Sequence, residues 1–349
     1  MQQYRDTNYA AVSAALHARE AHLLTSALSE RMLEAPTAEE SCKVLGECGY
    51  ALPEKCTLAA MEEMLALARG ALYREVAVLA PDKRIVEIFR LKYDYHNAKL
   101  ALKAKRTGED ASRMVIDCGR YEALALLRGE RGMLSSRMGR AMAQAERESE
   151  GGDVRAAELT LDRACFEEMS ALAKETESEF LIDYVALQID AINLRTLVRA
   201  QRMGASAELL SAALLPGGHI PAEQLRTARG DRLAELTRGS ALSAAGELAA
   251  SLTSGSLTAF ERACDDALVQ YLQRAQNPLR ARGHRGIPER EGGGIHRRAH
   301  HFIRKARGAE RGGHPRAPAL ELFVRRAADE QDRSDRRARQ RARLPCPRP

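Results

Sequence analysis

The sequence predicts an all-α fold, on three observations. Residues 1–277 run in long stretches rich in Ala, Leu, Glu, Arg and Lys, with little clustering of β-branched residues, a composition that favours helix and offers no alternation for strands. Gly and Pro punctuate those stretches rather than interrupt them. One helix-length pattern also occurs twice, the mark of a repeated helical unit. At 349 residues the chain has the length for two or three domains and for an apolar core without disulfide support.

From the N-terminus onward, the helices are separated by seven breaks. They are EAPTAEES (34–41), CGYALPEKC (48–56), LAPDKR (79–84), KRTGED (105–110), ESEGGD (148–153), QRMGAS (201–206) and LLPGGHIP (214–221). Each combines a helix-stopping Gly or Pro with Ser, Thr, Asp or a charged residue suited to capping or turn formation.

The repeat pairs DYHNAKLALKAKRTG (94–108) with DAINLRTLVRAQRMG (190–204), an offset of 96 residues. Both fit D-x-x-N-x-[KR]-x-x-[LV]-[KR]-A-x-R-x-G. The apolar positions repeat with it: Ile88, Leu91, Tyr95, Ala98 and Leu102 in one copy, Tyr184, Leu187, Ala191, Leu194 and Val198 in the other. At helical spacing each set forms one stripe, and each member contributes about 1.5–3 kcal/mol when fully buried. The pairs Lys99/Lys103 and Arg195/Arg199 lie one turn apart beside the stripe. They read as a solvated helix edge or, more sharply, as a partner-facing rim. Asp94, Asn97, Asp190 and Asn193 read as helix-to-helix hydrogen-bonding groups or as part of a cavity wall. Tyr93 and Tyr95 read as core or rim packing.

The net charge of +6 is unevenly placed. From Pro278 onward there are 20 basic residues, 19 of them Arg, against 8 acidic ones, a balance of +12, while residues 1–277 carry −6. An acidic partner such as nucleic acid would therefore be met by the tail and not by the helical body. The seven cysteines (42, 48, 56, 118, 165, 264, 346) are scattered and odd in number, which suggests reduced structural thiols and a cytosolic protein. No apolar run approaches the roughly 20 residues that span a bilayer, and the N-terminal residues lack the pattern of an export signal. The gaps between Cys42, Cys48 and Cys56 match no common zinc spacing. PGGHIP lacks the Gly-Lys-Ser/Thr of a phosphate loop and reads as an interhelical turn. His296, His300 and His301 imitate a metal tract but stand in the anomalous tail. No spacing suggests a catalytic pair, a metal site or a cofactor.

The segments YAAVSAALHAREAHLLT (9–25), ESCKVLGECGYAL (40–52), LKYDYHNAKLALKAK (91–105), DYVALQIDAINLRTLVRAQ (183–201) and LLPGGHI (214–220) resemble, in order, the C subunit (named d in eukaryotes) of the V/A-type rotary ATPases. The resemblance runs from Tyr9 to about Gln276, and its most specific part is the pair of repeated helices. It implies a funnel of three similar helical domains, one copy per complex, set between the membrane rotor ring and the central shaft. It further implies no active site, no cofactor, no nucleic acid and no membrane insertion, with a cytoplasmic location peripheral to the membrane and a mechanical role in coupling proton or sodium movement to ATP turnover. On this reading the domains are 1–108, 109–204 and a partial third over 205–277, followed by the tail 278–349. Lys99, Lys103, Arg195 and Arg199 become candidate contacts to the shaft or ring.

The resemblance also implies a third copy of the repeated helix near residues 290–310, where EGGGIHRRAHHFIRKARG has no apolar stripe. Reading each codon from its second base permits F-G-P-E at 279–283, T-A-V-R-I-I-L-S-G at 296–304 and then K-R-A-G, a line with the charge and apolar order of the missing copy. Out-of-frame GC-rich codons yield Arg, Gly, Pro, Ala and His, the composition of the tail. The tail is accordingly read as a frameshift product. The competing reading is a helical-repeat scaffold with a basic, nucleic-acid-binding arm.

Overall fold

The computed structural model describes residues 10–20, 22, 24–251 and 257–274. Among them there is no strand, and helices α1 to α14 account for the fold. The tail, with His296, His300, His301 and Cys346, lies outside the described residues, as do the frame reading and the closing residues of segment 205–277. All seven breaks fall between helices, and several act as the residue types require. Thr37 caps α3 (Ala38–Glu47) by accepting the Glu40 N–H, and Asp82 caps α5 (Lys83–Thr107) by accepting the Arg84 N–H. Gly108 ends α5 in the left-handed region at φ 71°, where a side chain would be strained.

The chain divides into two compact units. The smaller comprises residues 14–72 and contains α2 (Ser26–Glu34), α3 and the first part of α4 (Leu58–Leu79). Its core gathers Met32, Ala38, Cys42, Val44, Leu45, Met61 and Met64. A paired hydrogen bond from Arg31 to Glu47, at 2.7 and 2.9 Å, ties α2 to α3 at the surface.

The larger unit runs from Tyr73 through the last described helix, together with residues 10–13. It is organised around α5 and α9 (Glu179–Arg202), the helices that carry the repeated pattern. All ten stripe residues are buried, none above 9% exposure. α8 (Val154–Glu175) packs on both α5 and α9, and α14 (Leu257–Arg274) packs on α9. An aromatic ladder links the starts of α5 and α9 to α14: Phe89 to Tyr184 at 5.4 Å, Tyr184 to Tyr271 at 6.2 Å, and Tyr271 to Phe180 at 4.8 Å. Tyr93 and Tyr95 are buried, Tyr93 edge-on to Tyr73 at 5.7 Å. Several breaks escaped the sequence reading, among them the one between α8 and α9, where Glu177, at φ 56°, turns the chain and Ser178 caps the new helix.

Candidate functional site

The repeated helices carry the candidate contact residues, and the segment after each helix fixes it in place. On α5, Asp94 Oδ1 accepts the backbone N–H groups of Arg120 at 2.8 Å and Tyr121 at 3.2 Å. One turn on, Asn97 accepts the N–H of Ile116 and donates to its C=O, both at 2.9 Å. On α9, Asp190 accepts the N–H groups of His219 at 2.9 Å and Ile220 at 3.0 Å. Asn193 accepts the N–H of Leu215 at 2.7 Å and donates to its C=O at 2.8 Å.

The D-x-x-N pair is therefore a clamp that holds a six-residue loop against its helix: Ile116 to Tyr121 in the first copy, Leu215 to Ile220 in the second. The residue types follow from the chemistry. An Asn carboxamide offers one acceptor and one donor side by side, matching both polar groups of one residue, whereas an ionised Asp can only accept and takes two successive N–H groups. Of the two readings the sequence offered for these four side chains, helix-to-helix hydrogen bonds or a cavity wall, the first is not what the structure shows. Their partners are loop backbones, whose N–H and C=O groups lack ladder partners and must be satisfied when buried.

The fourth loop residue is glycine in both copies, for want of room. A Cβ on Gly119 would lie 2.1 Å from Asp94 Oδ1, and one on Gly218 would lie 2.1 Å from Asp190 Oδ1, yet neither residue has positive φ.

The fifth loop residue sets the electrostatics, and there the copies differ. Arg120 donates to Asp94 Oδ2 at 2.8 Å and to Glu168 on α8 at 3.1 Å, and Glu168 also accepts from the Tyr95 hydroxyl at 2.8 Å. Burial pushes the Asp94 carboxyl up, opposed by Arg120 and the two backbone N–H groups. Burial pulls Arg120 down, but its partners, Asp94 first, outweigh it and raise its pKa. Tyr95 is pushed up by burial and then by Glu168. In the second copy His219 takes the place of Arg120, with Nδ1 3.1 Å from Asp190 Oδ2 and Nε2 3.5 Å from Asp183. Its pKa is raised, chiefly by the Asp190 hydrogen bond. One clamp holds a permanent cation and the other an imidazole, whose charge depends on pH.

Of the candidate contacts, Lys99 pairs with Asp162 on α8. Arg195 donates to Asp265 at 2.7 Å and to the Glu261 carbonyl at 3.0 Å, while Arg199 donates twice to the Glu261 carboxylate at 2.5 and 3.2 Å. Arg195, Arg199, Glu261 and Asp265, with Ile192 and Thr196, line a shallow cleft of about 330 Å³ between α9 and α14. Lys103 is exposed. The structure thus brings Arg195 and Arg199 together on one pair of acids, and it draws Lys99 to α8 while Lys103 faces outward.

The loops and their acidic partners were legible in the sequence, but not at a single offset. The Asp-to-loop separation is 26 residues in the first copy and 29 in the second, so the second copy carries three extra residues after its helix. Allowing for them aligns Gly119 with Gly218 and brings Asp162-Arg163-Ala164-Cys165 onto Glu261-Arg262-Ala263-Cys264. Asp162 and Glu261 are the very acids that meet Lys99 and Arg199.

Residues 12–279 match the family described as ATP synthase (C/AC39) subunit. The chain belongs to that family. Among curated relatives, the C subunit of the A-type ATP synthase of Thermococcus kodakarensis is 26% identical over 238 residues, covering 64% of this chain and 65% of the relative. The C subunit of the V-type sodium ATPase of Enterococcus hirae is 24% identical over 169 residues, 47% of this chain and 52% of the relative. The C subunit of the V-type ATP synthase of Thermus thermophilus is 29% identical over 158 residues, 42% of this chain and 47% of the relative. This C/AC39 family member therefore spans less than two thirds of the length of these relatives. Among its described residues no helix is long and apolar enough to cross a membrane.

Proposed function

We propose that this member of the ATP synthase (C/AC39) family is a noncatalytic central-stalk component of a V/A-type ATPase. It links the central shaft to the membrane rotor ring, at the membrane periphery, and transmits torque for ATP-coupled proton or sodium transport. Family membership points to the complex, and the twice-used clamp is the observation that carries the mechanical role. A torque-bearing adaptor must not yield when its ends are loaded. Here each marker helix is fixed to its following loop by four side-chain-to-backbone hydrogen bonds and to a later helix, α8 or α14, by ion pairs. Lys103, with the Arg195/Arg199 cleft, forms the rim offered to shaft or ring.

The proposal includes three domains, the third completed by the residues that the shifted frame of the tail encodes. That the family match ends at residue 279 supports this. The test is to correct one base near codon 278 and to compare binding of both versions to purified shaft proteins and to ring-containing membranes at two salt concentrations. A basic tail attaches nonspecifically to acidic surfaces, and that attachment weakens with salt. The corrected chain is expected to keep its binding at high salt and the chain as given to lose it. Equal binding of both in high salt would refute the frame reading. Salt-resistant binding of neither, with the chain as given retaining nucleic acid, would refute the stalk assignment.

A further inference from the structure

The larger unit holds a cleft of about 610 Å³ on the flank of the first marker helix. It is lined by residues of α5, α6 (Ala123–Leu127), α7 (Ser136–Glu150) and α8 and of the segments between them. Its floor is aliphatic, made by Ala98, Ala101, Leu102, Leu126, Met142 and Leu161, and no aromatic side chain lines it. The second copy fills the same place. At the offset of 96, Ala101 corresponds to Leu197, and after the three extra residues Leu161 corresponds to Phe260 and Gly129 to Ala228. Leu197, Phe260 and Ala228 are all buried. Gln201, the counterpart of Lys105, ties that site together by donating to the Ala228 carbonyl at 3.0 Å. A smaller residue at each of these matched positions leaves the first copy open.

The mouth of the cleft is charged. Lys105 on α5 meets Glu150 at 3.0 Å and Glu146 at 3.6 Å, both on α7, and Arg131, just before α7, donates to Glu146 as well. One carboxylate thereby serves two cations, although an ammonium carries three donors and a guanidinium five. Donors are in surplus at this corner. Of the other acids of the mouth, Asp110 accepts from the Ser112 N–H and hydroxyl, and Glu109 is exposed. Arg128 adds a further cation, paired with Glu122 and Glu130, which do not line the cleft.

We propose that this cleft binds a small aliphatic anion, with a medium-length acyl or alkyl chain on the floor and a carboxylate or phosphate head at Lys105 and Arg131. The volume lies within the range of small-molecule pockets, about 300–1,000 Å³, and a few polar groups over an apolar floor are their usual build. A floor without aromatic rings gives a flexible chain hydrophobic and dispersion contacts but gives a planar ligand no stacking face. Met142 adapts its shape to what it packs on. The head takes the fork of Arg131 and the ammonium of Lys105 by charge-assisted hydrogen bonds. A cationic head would find Glu146 already taken.

The experiment adds decanoate or decyl phosphate to the full chain carrying carbon-13 at its methionine methyl groups, observed by NMR. The Met142 methyl, assigned from Met142→Leu, reports the cleft, and that of Met203, 72% exposed after α9, reports nonspecific contact. The expected result is a saturable shift of Met142 without one of Met203, and the tighter of the two probes identifies a carboxylate or a phosphate head. Ala101→Leu and Leu161→Phe install the second copy's residues and should each weaken binding by about tenfold or more. Lys105→Gln and Arg131→Gln should each weaken it about tenfold, and Lys43→Gln, exposed in the smaller unit, should leave it unchanged. Circular dichroism establishes that each variant is folded. The basic tail also attracts anions, but binding there survives the cleft substitutions and leaves Met142 unmoved. Unchanged binding in folded Ala101→Leu and Leu161→Phe chains, an unmoved Met142, or decylamine bound as tightly as decanoate would overturn the proposal.

Discussion

Replacing Gly218 by alanine tests the clamp where its geometry is tightest. The added Cβ would stand 2.1 Å from Asp190 Oδ1 and 3.0 Å from its Cγ, where carbon and oxygen normally keep about 3.3 Å apart. Loop or carboxylate must therefore retreat by about 1 Å, more than the hydrogen bonds from His219 and Ile220, at 2.9 and 3.0 Å, can stretch and survive. Each is a bond to a charged group worth about 1.5–3 kcal/mol, so losing both costs about 3–6 kcal/mol. The Asp190 side chain, only 2% exposed, has little water to replace them. Gly217 is the control. It sits at φ 97° with Ile189 Cδ1 at 3.5 Å as its nearest contact, so alanine there meets backbone strain of about 1–2 kcal/mol and no clash. Urea denaturation followed by circular dichroism, with hydrogen exchange in residues 215–220, measures both. In the double variant with Asp190→Ala the clash disappears, and the combined loss should fall short of the sum by at least about 1 kcal/mol. Additive losses, or a Gly218→Ala cost no larger than that of Gly217→Ala, would refute the close-approach argument.

The two clamps should also differ in their response to pH. The His219 pKa is raised in the folded chain, so its contribution is complete below the ordinary histidine value of about 6.5 and is lost as pH rises through the folded value. Denaturation midpoints across that window should fall in the native chain and flatten in His219→Gln; an unchanged slope would remove His219 from the account. Asn193→Asp should destabilise by about 2–4 kcal/mol, because it sets a carboxylate against the Leu215 carbonyl and deletes the donor that satisfied it. Asn97→Asp should do the same at Ile116. Hydrogen exchange should localise each effect to its own loop, and an effect spread evenly over the chain would count against a local clamp. The purified chain should not hydrolyse ATP, and turnover abolished by a substitution within it would overturn the noncatalytic assignment.

Most of the helical plan could be read from local chemistry. Capping residues such as Asp82 and Thr37 and the left-handed Gly108 mark helix ends without reference to anything distant. The 3.6-residue period identified both buried stripes because helix burial is itself periodic. The clamps were half legible. Asp94 and Asn97 stood out as polar residues in amphipathic helices, but their partners are backbone groups, which leave no residue type to find. Only Gly119 and Gly218 betray the loops, and the three-residue insertion hides their correspondence from a comparison at one spacing. The contact between Cys42 and Met61 was invisible for a different reason: the two share no sequence period, and the fold alone brings them together.

The proposed role in torque transmission is tested most directly by the coupling ratio. Membranes that hold the rest of a V/A-type ATPase but lack this component would be supplied with the frame-corrected chain, and ATP hydrolysis and ion uptake would be measured together. The account predicts that hydrolysis proceeds without the chain while ion uptake is absent, and that adding the chain restores uptake in proportion to the amount bound. Uptake that is already coupled to hydrolysis before the chain is added would contradict it.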